Sequence, residues 1–386
     1  MDLIIDVDLV LDEVAEEAGA DDFGDASFRD GLDILVESAS REAQLNDIGK
    51  ATLDGQVRGS LRNRVRVIDW HKKHPDLASQ SVTEPVFVVG ASRTGTTALS
   101  QLLAADPANR SMLGFEVQDS IPPPTAEGYW NDPRFVAARE APDMLAMINP
   151  GFRAIHYDPP DGPMECVTIL AQHFLSAQLV TVFNIPTYHR WMLDVDEVAA
   201  YRYHKLVLQV LQSEKPGRWH LKSPHHAVAM DALSTVYPDA KLIVTHRDPI
   251  KTLASTCSLV VSLTGTFSDA DWRSYIAEIW TDTVDAMINR TLDFRDAHPD
   301  MQFVDVMYED FVKDPVASVA GIYDQLGREL TREAETAVRE MAAREPQHKF
   351  GRHTYALADI GLRREDVEAR FERYFDRFPQ VCKEDV

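Results

Sequence analysis

The feature that most constrains the fold is a short apolar run that ends in glycine and precedes a loop of small residues. Residues 85–90 read Pro-Val-Phe-Val-Val-Gly, which is typical of a strand buried on both faces. Residues 91–97 read Ala-Ser-Arg-Thr-Gly-Thr-Thr, and a helical pattern of leucines then runs from Leu99 to Asp106-Pro107. The order strand, small-residue loop, helix predicts an α/β unit.

Three further strands are predicted, over residues 219–222, 242–245 and 303–308. Between the first two, residues 224–237 indicate a helix, with proline in its first turn and Pro238 beyond its end. This order is a βαβ unit, so we expect a right-handed crossover and a central parallel sheet flanked by helices.

Two parts of the chain indicate helices outside this sheet. Residues 1–83 form a helical N-terminal extension, in which Ser27 with Asp30 resembles a capping box. A second helix of the extension is indicated by apolar residues at helical spacing: Leu53, Val57, Leu61, Val65 and Ile68. Residues 84–386 form one α/β domain, and residues 110–215 are a mostly helical insertion in it, long enough to build a lid or a binding pocket.

The composition excludes several classes of protein. The chain of 386 residues has 39 basic and 62 acidic side chains and a net charge of −23, which argues against a nucleic-acid binder. Its three cysteines lack CxxC spacing, so neither a disulfide scaffold nor a zinc site is predicted. No run approaches the roughly 18 apolar residues of a membrane span. The first basic residue is Arg29, so we expect no signal peptide and a cytoplasmic location.

The loop after the first strand has the residue types of an anion-binding site. Backbone N–H groups at a helix N-terminus point outward, and Thr94, Thr96 and Thr97 add hydroxyl donors. Gly95 lets the backbone approach a ligand closely, and Arg93 supplies a forked cation. The loop lacks the lysine of the GxxxxGK[ST] pattern, so a kinase that uses a magnesium nucleotide is disfavoured.

Four segments together resemble a known family. Residues 90–97 resemble the 5′-phosphosulfate loop of sulfotransferases that use 3′-phosphoadenosine 5′-phosphosulfate (PAPS), in the arginine-bearing form of tyrosylprotein sulfotransferases and many bacterial members. Three later segments resemble further signatures of that family: Trp-His-Leu-Lys-Ser-Pro-His at 219–225, Lys-Leu-Ile-Val-Thr-His-Arg-Asp-Pro at 241–249 with Ser255, and Val-Met-Tyr-Glu-Asp-Phe at 306–311. Residues 349–361 resemble the C-terminal nucleotide-closing segment of bacterial members.

The resemblance covers about residues 85 to 375 and implies a fold, an activity and a donor. The fold is a P-loop-like, three-layer α/β fold, and the enzyme is a sulfotransferase with PAPS as donor, PAP as product and no metal. The residues expected to bind the nucleotide are Arg93, Thr94, Gly95, Thr96 and Thr97 at the 5′ end, Arg247 and Ser255 at the 3′-phosphate, Tyr308 near the adenine, and Arg352. Lys222 and Arg93 are expected to neutralise the charge that develops on the leaving group.

A base must also take the proton of the acceptor hydroxyl, and three candidates remain open. Glu116 follows Arg93 at roughly the distance where tyrosylprotein sulfotransferases carry their catalytic glutamate. His225, or its neighbour His226, lies at a helix start beside Lys222, where an imidazole stays neutral and basic. Glu165 lies within the insertion. We rank them in the order Glu116, His225, Glu165.

Two alternative functions are weighed against this one. A P-loop-type kinase or nucleotide hydrolase acting on a small molecule would need a Walker lysine and a strand-end carboxylate, and only the second is present, as Asp248 or Asp305. A non-enzymatic helical protein that binds partners through a relict nucleotide fold is the other alternative. The motifs that resemble the family favour the enzyme over both.

The insertion favours a lipophilic small-molecule acceptor such as a steroid, a phenol or quinol, or a glycolipid. It has few basic residues and many aromatic ones: Phe115, Trp130, Tyr157, Phe174, Phe183, Tyr188 and Trp191. We expect no integral membrane association, and a homodimer is compatible with the sequence.

Overall fold

A five-stranded parallel sheet forms the centre of the computed structural model, which describes residues 5–155, 159–344 and 355–382. The strands are β1 (Val86–Val89), β2 (Asn109–Arg110), β3 (Arg218–Lys222), β4 (Lys241–His246) and β5 (Phe303–Met307), in the spatial order β2-β3-β1-β4-β5. All of β1 is buried, because alternate residues of this strand belong to two different apolar clusters. The α/β fold with a central parallel sheet flanked by helices is therefore confirmed.

The register of the strands brings their carboxyl ends to one edge of the sheet. Val88 pairs with Lys222 of β3 on one side and with Ile243 of β4 on the other. β5 continues the alignment beside β4, so that Arg247 and Tyr308 follow their strands at the same edge as the loop after β1. Ligands of open α/β sheets bind at this edge.

Helices make up most of the remaining described chain. The α-helices are α1 (Val7–Ala18), α2 (Phe28–Arg41), α3 (Asp47–Lys73), α4 (Thr96–Ala104), α5 (Gly114–Gln118), α6 (Pro133–Glu140), α7 (Met144–Ile148), α8 (Val167–Leu170), α9 (Ala177–Val182), α10 (Pro186–Asp194), α11 (Val198–Ser213), α12 (Met230–Val236), α13 (Pro249–Phe267), α14 (Arg273–Ala297), α15 (Tyr308–Lys313), α16 (Pro315–Gln325), α17 (Arg332–Arg344), α18 (Arg364–Arg370) and α19 (Glu372–Arg377). Short 3-10 helices cover Pro75–Ser79, Tyr129–Asn131, Phe152–Ala154, Ala171–His173, Pro224–Val228, Leu357–Ile360 and Pro379–Cys382.

The helix predicted over residues 224–237 is divided into two elements. Pro224–Val228 is a 3-10 helix, and α12 begins only at Met230. The side chain of Ser223 accepts a hydrogen bond from the backbone N–H of His225 at 3.1 Å, which fixes the start of the tighter winding. This winding accompanies the burial of two consecutive imidazoles, His225 and His226, which a single amphipathic helix would place in different directions.

One predicted helix cap and one predicted strand end are wrong, and one strand escapes prediction. Ser27 precedes α2 without capping it, because its backbone is already helical and its hydroxyl donates to Asp25 Oδ1 at 2.6 Å. Tyr308, predicted to end the last strand, is the first residue of α15. The strand β2 has two residues and therefore carries no periodic signal.

The N-terminal helices pack into the core of the α/β fold. Leu53, Leu61 and Val65 of α3 have no exposed surface and belong to the same apolar cluster as Phe87 of β1. The predicted stripe therefore faces inward. The boundary between an extension, 1–83, and a domain, 84–386, stays a prediction.

A buried arginine ties the N-terminal helices together. The guanidinium of Arg64 on α3 donates to the backbone oxygens of Phe23, at 2.7 Å, and Asp25, at 3.0 Å. It also lies over the rings of Phe28 and Tyr203, 4.6 and 4.5 Å from their centroids. Burial lowers the pKa of Arg64 to about 10, so the group is still charged at neutral pH.

By length and composition, α13 is a candidate for crossing a membrane among the described helices. In the fold, 56% of its most apolar window is buried against the rest of the chain. A helix in a protein core meets the same criteria, so we assign no membrane span to it.

The close packing of α3 against the core can be tested with two glycines of that helix. A Cβ at Gly49 would lie 2.2 Å from the backbone oxygen of Phe267, whereas a Cβ at Gly55 would meet no atom within 4 Å. We expect Gly49→Ala to lower the free energy of unfolding by about 2 kcal/mol through overpacking. Gly55→Ala should raise it by up to about 1 kcal/mol. Urea unfolding followed by circular dichroism measures both, and equal effects would contradict this docking.

Candidate active site

The loop between β1 and α4 is fixed to the neighbouring strand by close contacts. Gly90, Arg93 and Gly95 have positive φ values of 147°, 68° and 91°. A Cβ at Gly90 would lie 2.3 Å from Thr245 Oγ1 of β4, so only glycine fits there. Thr94 is buried, with its hydroxyl donating to the backbone oxygen of Ala91 at 2.7 Å and lying 2.6 Å from Thr245 Oγ1. Its hydroxyl therefore stabilises the loop from inside.

Arg93 and Arg247 meet beside this loop. Arg93 Nε donates to Ser255 Oγ on α13 at 3.1 Å, and Arg247 Nη1 donates to the backbone oxygen of Arg93 at 2.8 Å. Burial lowers the pKa of Arg93, and the charge of Arg247 acts in the same direction. The buried Arg247 Nε has no hydrogen-bond partner in the part of the chain that the structure describes. Two close cations and an unsatisfied buried donor are the chemistry of a site for an anion.

Tyr308 covers one side of the same site. The guanidinium of Arg247 lies 4.1 Å from the centroid of its ring. A Cβ at Gly95 would lie 3.0 Å from Tyr308 Cδ2, so the absence of a side chain at Gly95 lets the ring lie against the loop.

Lys222 supplies the third cation, at the end of β3. Its Nζ donates to Thr97 Oγ1 at 3.2 Å and forms an ion pair with Glu165. The lysine is 1% exposed and Glu165 18% exposed, and the carboxylate lines the large cavity next to the loop. A backbone hydrogen bond of 3.0 Å from Cys166 N to the carbonyl oxygen of Lys222 fixes the segment that carries Glu165.

The histidines beside Lys222 are buried and hydrogen-bonded within the protein, although His226 Nε2 has no partner among the described residues. The backbone N–H of Ala177 donates to His225 Nδ1 at 3.1 Å, so His225 Nε2 carries the proton and donates it to Glu197 Oε2 at 2.6 Å. His226 Nδ1 lies 2.6 Å from the hydroxyl of Tyr201, and burial lowers the pKa of His226 well below its usual value. Although the ring of His225 lines the cavity, its lone pair is already used by the backbone.

Glu116 lies in a buried network rather than at the cavity. Its carboxylate forms a two-pronged ion pair with Arg110 and accepts hydrogen bonds from the hydroxyl of Tyr129, at 2.5 Å, and from Leu113 N, at 2.8 Å. Both Arg110 and Glu116 are almost completely buried. The structure therefore does not bring Glu116 together with Lys222 and Arg93, and its contacts are those of a structural ion pair.

A cavity of about 1000 Å³ extends from the loop between β1 and α4. Arg93, Gly95, Thr96, Thr97 and Arg247 line it at the sheet edge, with Glu165 and Tyr308. Much of the remaining wall is apolar, and includes Leu145, Met164, Leu179, Leu259, Leu263 and Phe267. The arrangement joins a cationic pocket to an apolar one, with a carboxylate lining the same cavity.

Several predicted residues lie elsewhere. Of the aromatic residues expected at the acceptor, Phe183 lines the cavity, Trp130 is exposed on the surface, and the buried rings belong to the core, namely Phe115, Phe174 and Tyr188. Tyr157 and Arg352 fall outside the described residues. Within those residues, no cluster of three or more histidine, cysteine or acidic side chains suits a metal ion.

Sequence reasoning misses part of the wall. Thr52 and Gln56 of α3 and Gln178 of α9 all line the cavity. Thr52 and Gln56 lie one helical turn apart beside the buried stripe of α3, which is the only sequence signal for them.

The same architecture occurs in solved structures. The sulfotransferase STF9 from Mycobacterium avium superposes with a TM-score of 0.88 at 30% identity, over 98% of both chains. The sulfotransferase STF1 from Mycobacterium tuberculosis H37Rv gives a TM-score of 0.85 at 31% identity, over 96% of this chain and 99% of that one.

Sequence comparison leads to the same group of proteins. A profile described as the sulfotransferase family matches residues 85–333. An omega-hydroxy-beta-dihydromenaquinone-9 sulfotransferase, Stf3 of Mycobacterium bovis, is 26% identical over 257 residues. That match spans 63% of this chain and 62% of the relative, which is less than two thirds of the relative's length.

The two glutamates are expected to differ in their effect on stability. Glu116→Gln removes the charge that balances the buried Arg110, so we expect it to lower the free energy of unfolding by about 3 kcal/mol. Glu165→Gln keeps a hydrogen-bond acceptor for Lys222 at a site open to the cavity, and should cost about 1 kcal/mol. Denaturant unfolding of both variants measures the difference. A larger loss for Glu165→Gln would contradict the structural role of Glu116.

Proposed function

The chain belongs to the sulfotransferase family, and from this premise we propose that it moves the sulfuryl group of PAPS to a hydroxyl of a small lipophilic molecule. The observation that carries the proposal is the convergence of Arg93, Lys222 and Arg247 around the loop between β1 and α4. A protein with a net charge of −23 gathers cations in a buried pocket only where they serve an anion.

We assign the donor to residues that are already oriented for it. The backbone N–H groups at the start of α4, with Arg93, Thr96 and Thr97, would hold the 5′-phosphosulfate. Arg247, through its unsatisfied Nε, and Ser255 would hold the 3′-phosphate, and Tyr308 would lie near the adenine. Thr94 would act indirectly, by holding the loop. Arg352, outside the described residues, stays a proposed nucleotide contact.

The reaction is a single in-line displacement at sulfur. The bond from sulfur to the bridging oxygen of the donor breaks as the bond to the acceptor oxygen forms, and PAP leaves. Lys222 and Arg93 would offset the negative charge that grows on the leaving group, which is the largest electrostatic change in the transfer. The acceptor proton goes to a carboxylate within hydrogen-bond reach.

We propose Glu165 as that carboxylate. It lines the cavity and is held by Lys222, one of the residues proposed to act on the leaving group. Glu116 has its oxygens occupied by Arg110, Tyr129 and a backbone N–H, away from the cavity. His225 has no lone pair to offer while Ala177 N–H occupies its Nδ1.

The acceptor is proposed to be a lipophilic alcohol or phenol. The apolar lining beyond the loop would bury a hydrocarbon frame, and the omega-hydroxylated menaquinone in the name of the Stf3 relative is a lipophilic alcohol of this kind. Quinols, steroids and glycolipids likewise carry a hydroxyl group on a largely apolar frame. The apolar cavity and the acidic composition together support a cytoplasmic enzyme that acts on small molecules. In this proposal, residues 84–386 form the sulfotransferase domain, and residues 110–215 form its acceptor side.

The kinase or hydrolase alternative finds less support. The loop has no Walker lysine, and Asp305 is held by His246 at 2.9 Å and by Arg295 at 2.6 Å, away from the loop. Burial alone would raise the pKa of Asp305, but the hydrogen bonds from His246 and Arg295 outweigh it and hold the pKa at about 2. Asp305 thus serves as a structural anion.

The donor can be tested by comparing nucleotides that differ by one phosphate. Titration calorimetry should show PAP binding about 100-fold more tightly than AMP, because charge-assisted hydrogen bonds hold the 3′-phosphate. Arg247→Met should remove most of this ratio, because AMP lacks the 3′-phosphate that Arg247 is proposed to hold. Tight binding of ATP–Mg²⁺ with none of PAP would overturn the sulfotransferase proposal in favour of a kinase or hydrolase.

The chemical roles can be tested by turnover with radiolabelled PAPS and a quinol acceptor. Lys222→Met and Glu165→Gln should each lower kcat by about 100-fold or more, because one loses charge stabilisation and the other the base. Lys241→Met, which replaces a lysine at the opposite end of the sheet, serves as the matched control and should keep wild-type turnover. Near-normal kcat in either site variant would refute the role given to that residue.

A further inference from the structure

Two glutamines from distant parts of the chain meet on the wall of the large cavity. Gln178 Nε2 of α9 donates to Gln56 Oε1 of α3 at 3.2 Å, and both residues line the cavity. Gln56 belongs to the N-terminal helices, outside the region that matches the family profile. The pair therefore adds to the cavity a polar feature that the family motifs do not contain.

Gln56 bridges Ser60 of its own helix and Gln178 of α9. Gln56 Nε2 donates to the buried hydroxyl oxygen of Ser60, one turn further along α3, at 2.9 Å. The amide nitrogen of Gln56 thus bonds within α3, and its amide oxygen accepts the hydrogen bond from Gln178. Gln178 is fixed at the start of α9, where its backbone N–H donates to Ser176 Oγ at 3.1 Å. In the described chain, Gln178 Oε1 accepts no hydrogen bond.

Buried apolar residues lie next to the pair on both helices. Leu53 and Val57 on α3 and Leu179 on α9 are buried, whereas Gln56 and Gln178 are only half-buried because they face open space. An amide placed in an apolar pocket is unfavourable unless a ligand or water satisfies it. Sites of this kind reject ligands that lack the matching polar group.

Helix α3, which carries Gln56, begins far from the residues proposed to hold the 3′-phosphate. The backbone N–H of Asn46, at the start of α3, donates to the backbone oxygen of Phe267 at 3.0 Å. Phe267 is the last residue of α13, about 18 Å along the helix axis from Ser255. Gln56 itself contacts α9, whose Leu179 and Val182 belong to the apolar wall of the cavity, so we assign this wall to the acceptor rather than to the nucleotide.

We propose that Gln178, held in place by Gln56, accepts a hydrogen bond from a second hydroxyl of the acceptor. The substrate class is then a lipophilic molecule with two hydroxyl groups, one that receives the sulfuryl group and one that binds Gln178 Oε1. This inference rests on the proposed sulfotransferase function, and it gives the N-terminal helices a role in acceptor choice.

The test uses four acceptors with one carbon chain: dodecan-1-ol and the 1,2-, 1,6- and 1,12-dodecanediols. With wild-type enzyme and PAPS, at least one diol should exceed dodecan-1-ol in kcat/KM by about tenfold, the value of one hydrogen bond in a buried site. The spacing of the hydroxyls in the favoured diol reports the distance between the point of sulfuryl transfer and Gln178 Oε1. Gln56→Leu and Gln178→Leu should each reduce the diol-to-monoalcohol ratio to near one.

The control is Gln325→Leu, which replaces an exposed glutamine on α16 that does not line the cavity and should leave the ratio unchanged. Thermal unfolding is measured in parallel, because a purely structural role would lower stability and reduce turnover of all four alcohols alike. The proposal is overturned if wild-type enzyme prefers dodecan-1-ol to every diol, if none of the four is sulfated while PAP still binds, or if the preference survives in both variants. Failure of wild-type protein to bind PAP would instead overturn the proposed function.

Discussion

The pairing of β1 between β3 and β4 determines where the three cations of the site lie. Because the three strands are parallel and in register, Lys222, Arg247 and the loop after β1 leave the sheet at one edge. Gly90 packs so closely against Thr245 of β4 that there is no room for a Cβ, and this contact fixes the loop against β4. A shift of the register by one residue would turn Lys222 to the other face of the sheet and separate the cations.

The buried arginines of the protein differ in whether a carboxylate pairs with them. Arg93 and Arg247 lie together without a carboxylate partner beside them in the described chain, whereas Arg110 has Glu116 and Arg295 has Asp305. The paired arginines complete structural networks, and the pair at the loop retains its capacity for an anionic ligand. Lys222 differs from both groups, because it forms an ion pair with Glu165 and that glutamate lines the cavity.

The sequence predicts the part of the structure that local pattern encodes. The buried strands, the glycine loop and the helix after this loop follow from residue type and spacing, and the structure has each of them. The choice between Glu116 and Glu165 depends on which carboxylate meets Arg110 and which meets Lys222, and both contacts join residues through tertiary packing. The inward turn of Thr94 and the broken helix at His225 have the same origin, because neighbouring elements override the local preference.

The acceptor wall illustrates why specificity is harder to predict than chemistry. The cations Arg93, Lys222 and Arg247 lie at or just beyond the ends of β1, β3 and β4 and take their positions from the sheet. The wall, in contrast, is assembled from α3, α9 and α13, which share no local motif. Its geometry depends on close backbone contacts, such as Gly31 against Phe174 and Gly49 against Phe267, which leave no room for a side chain. Substitutions on α3 or α9 can therefore alter which molecule is bound without disturbing the strand ends. In the proposed function, the cations that act on the leaving group and most of the acceptor wall therefore belong to separate parts of the chain.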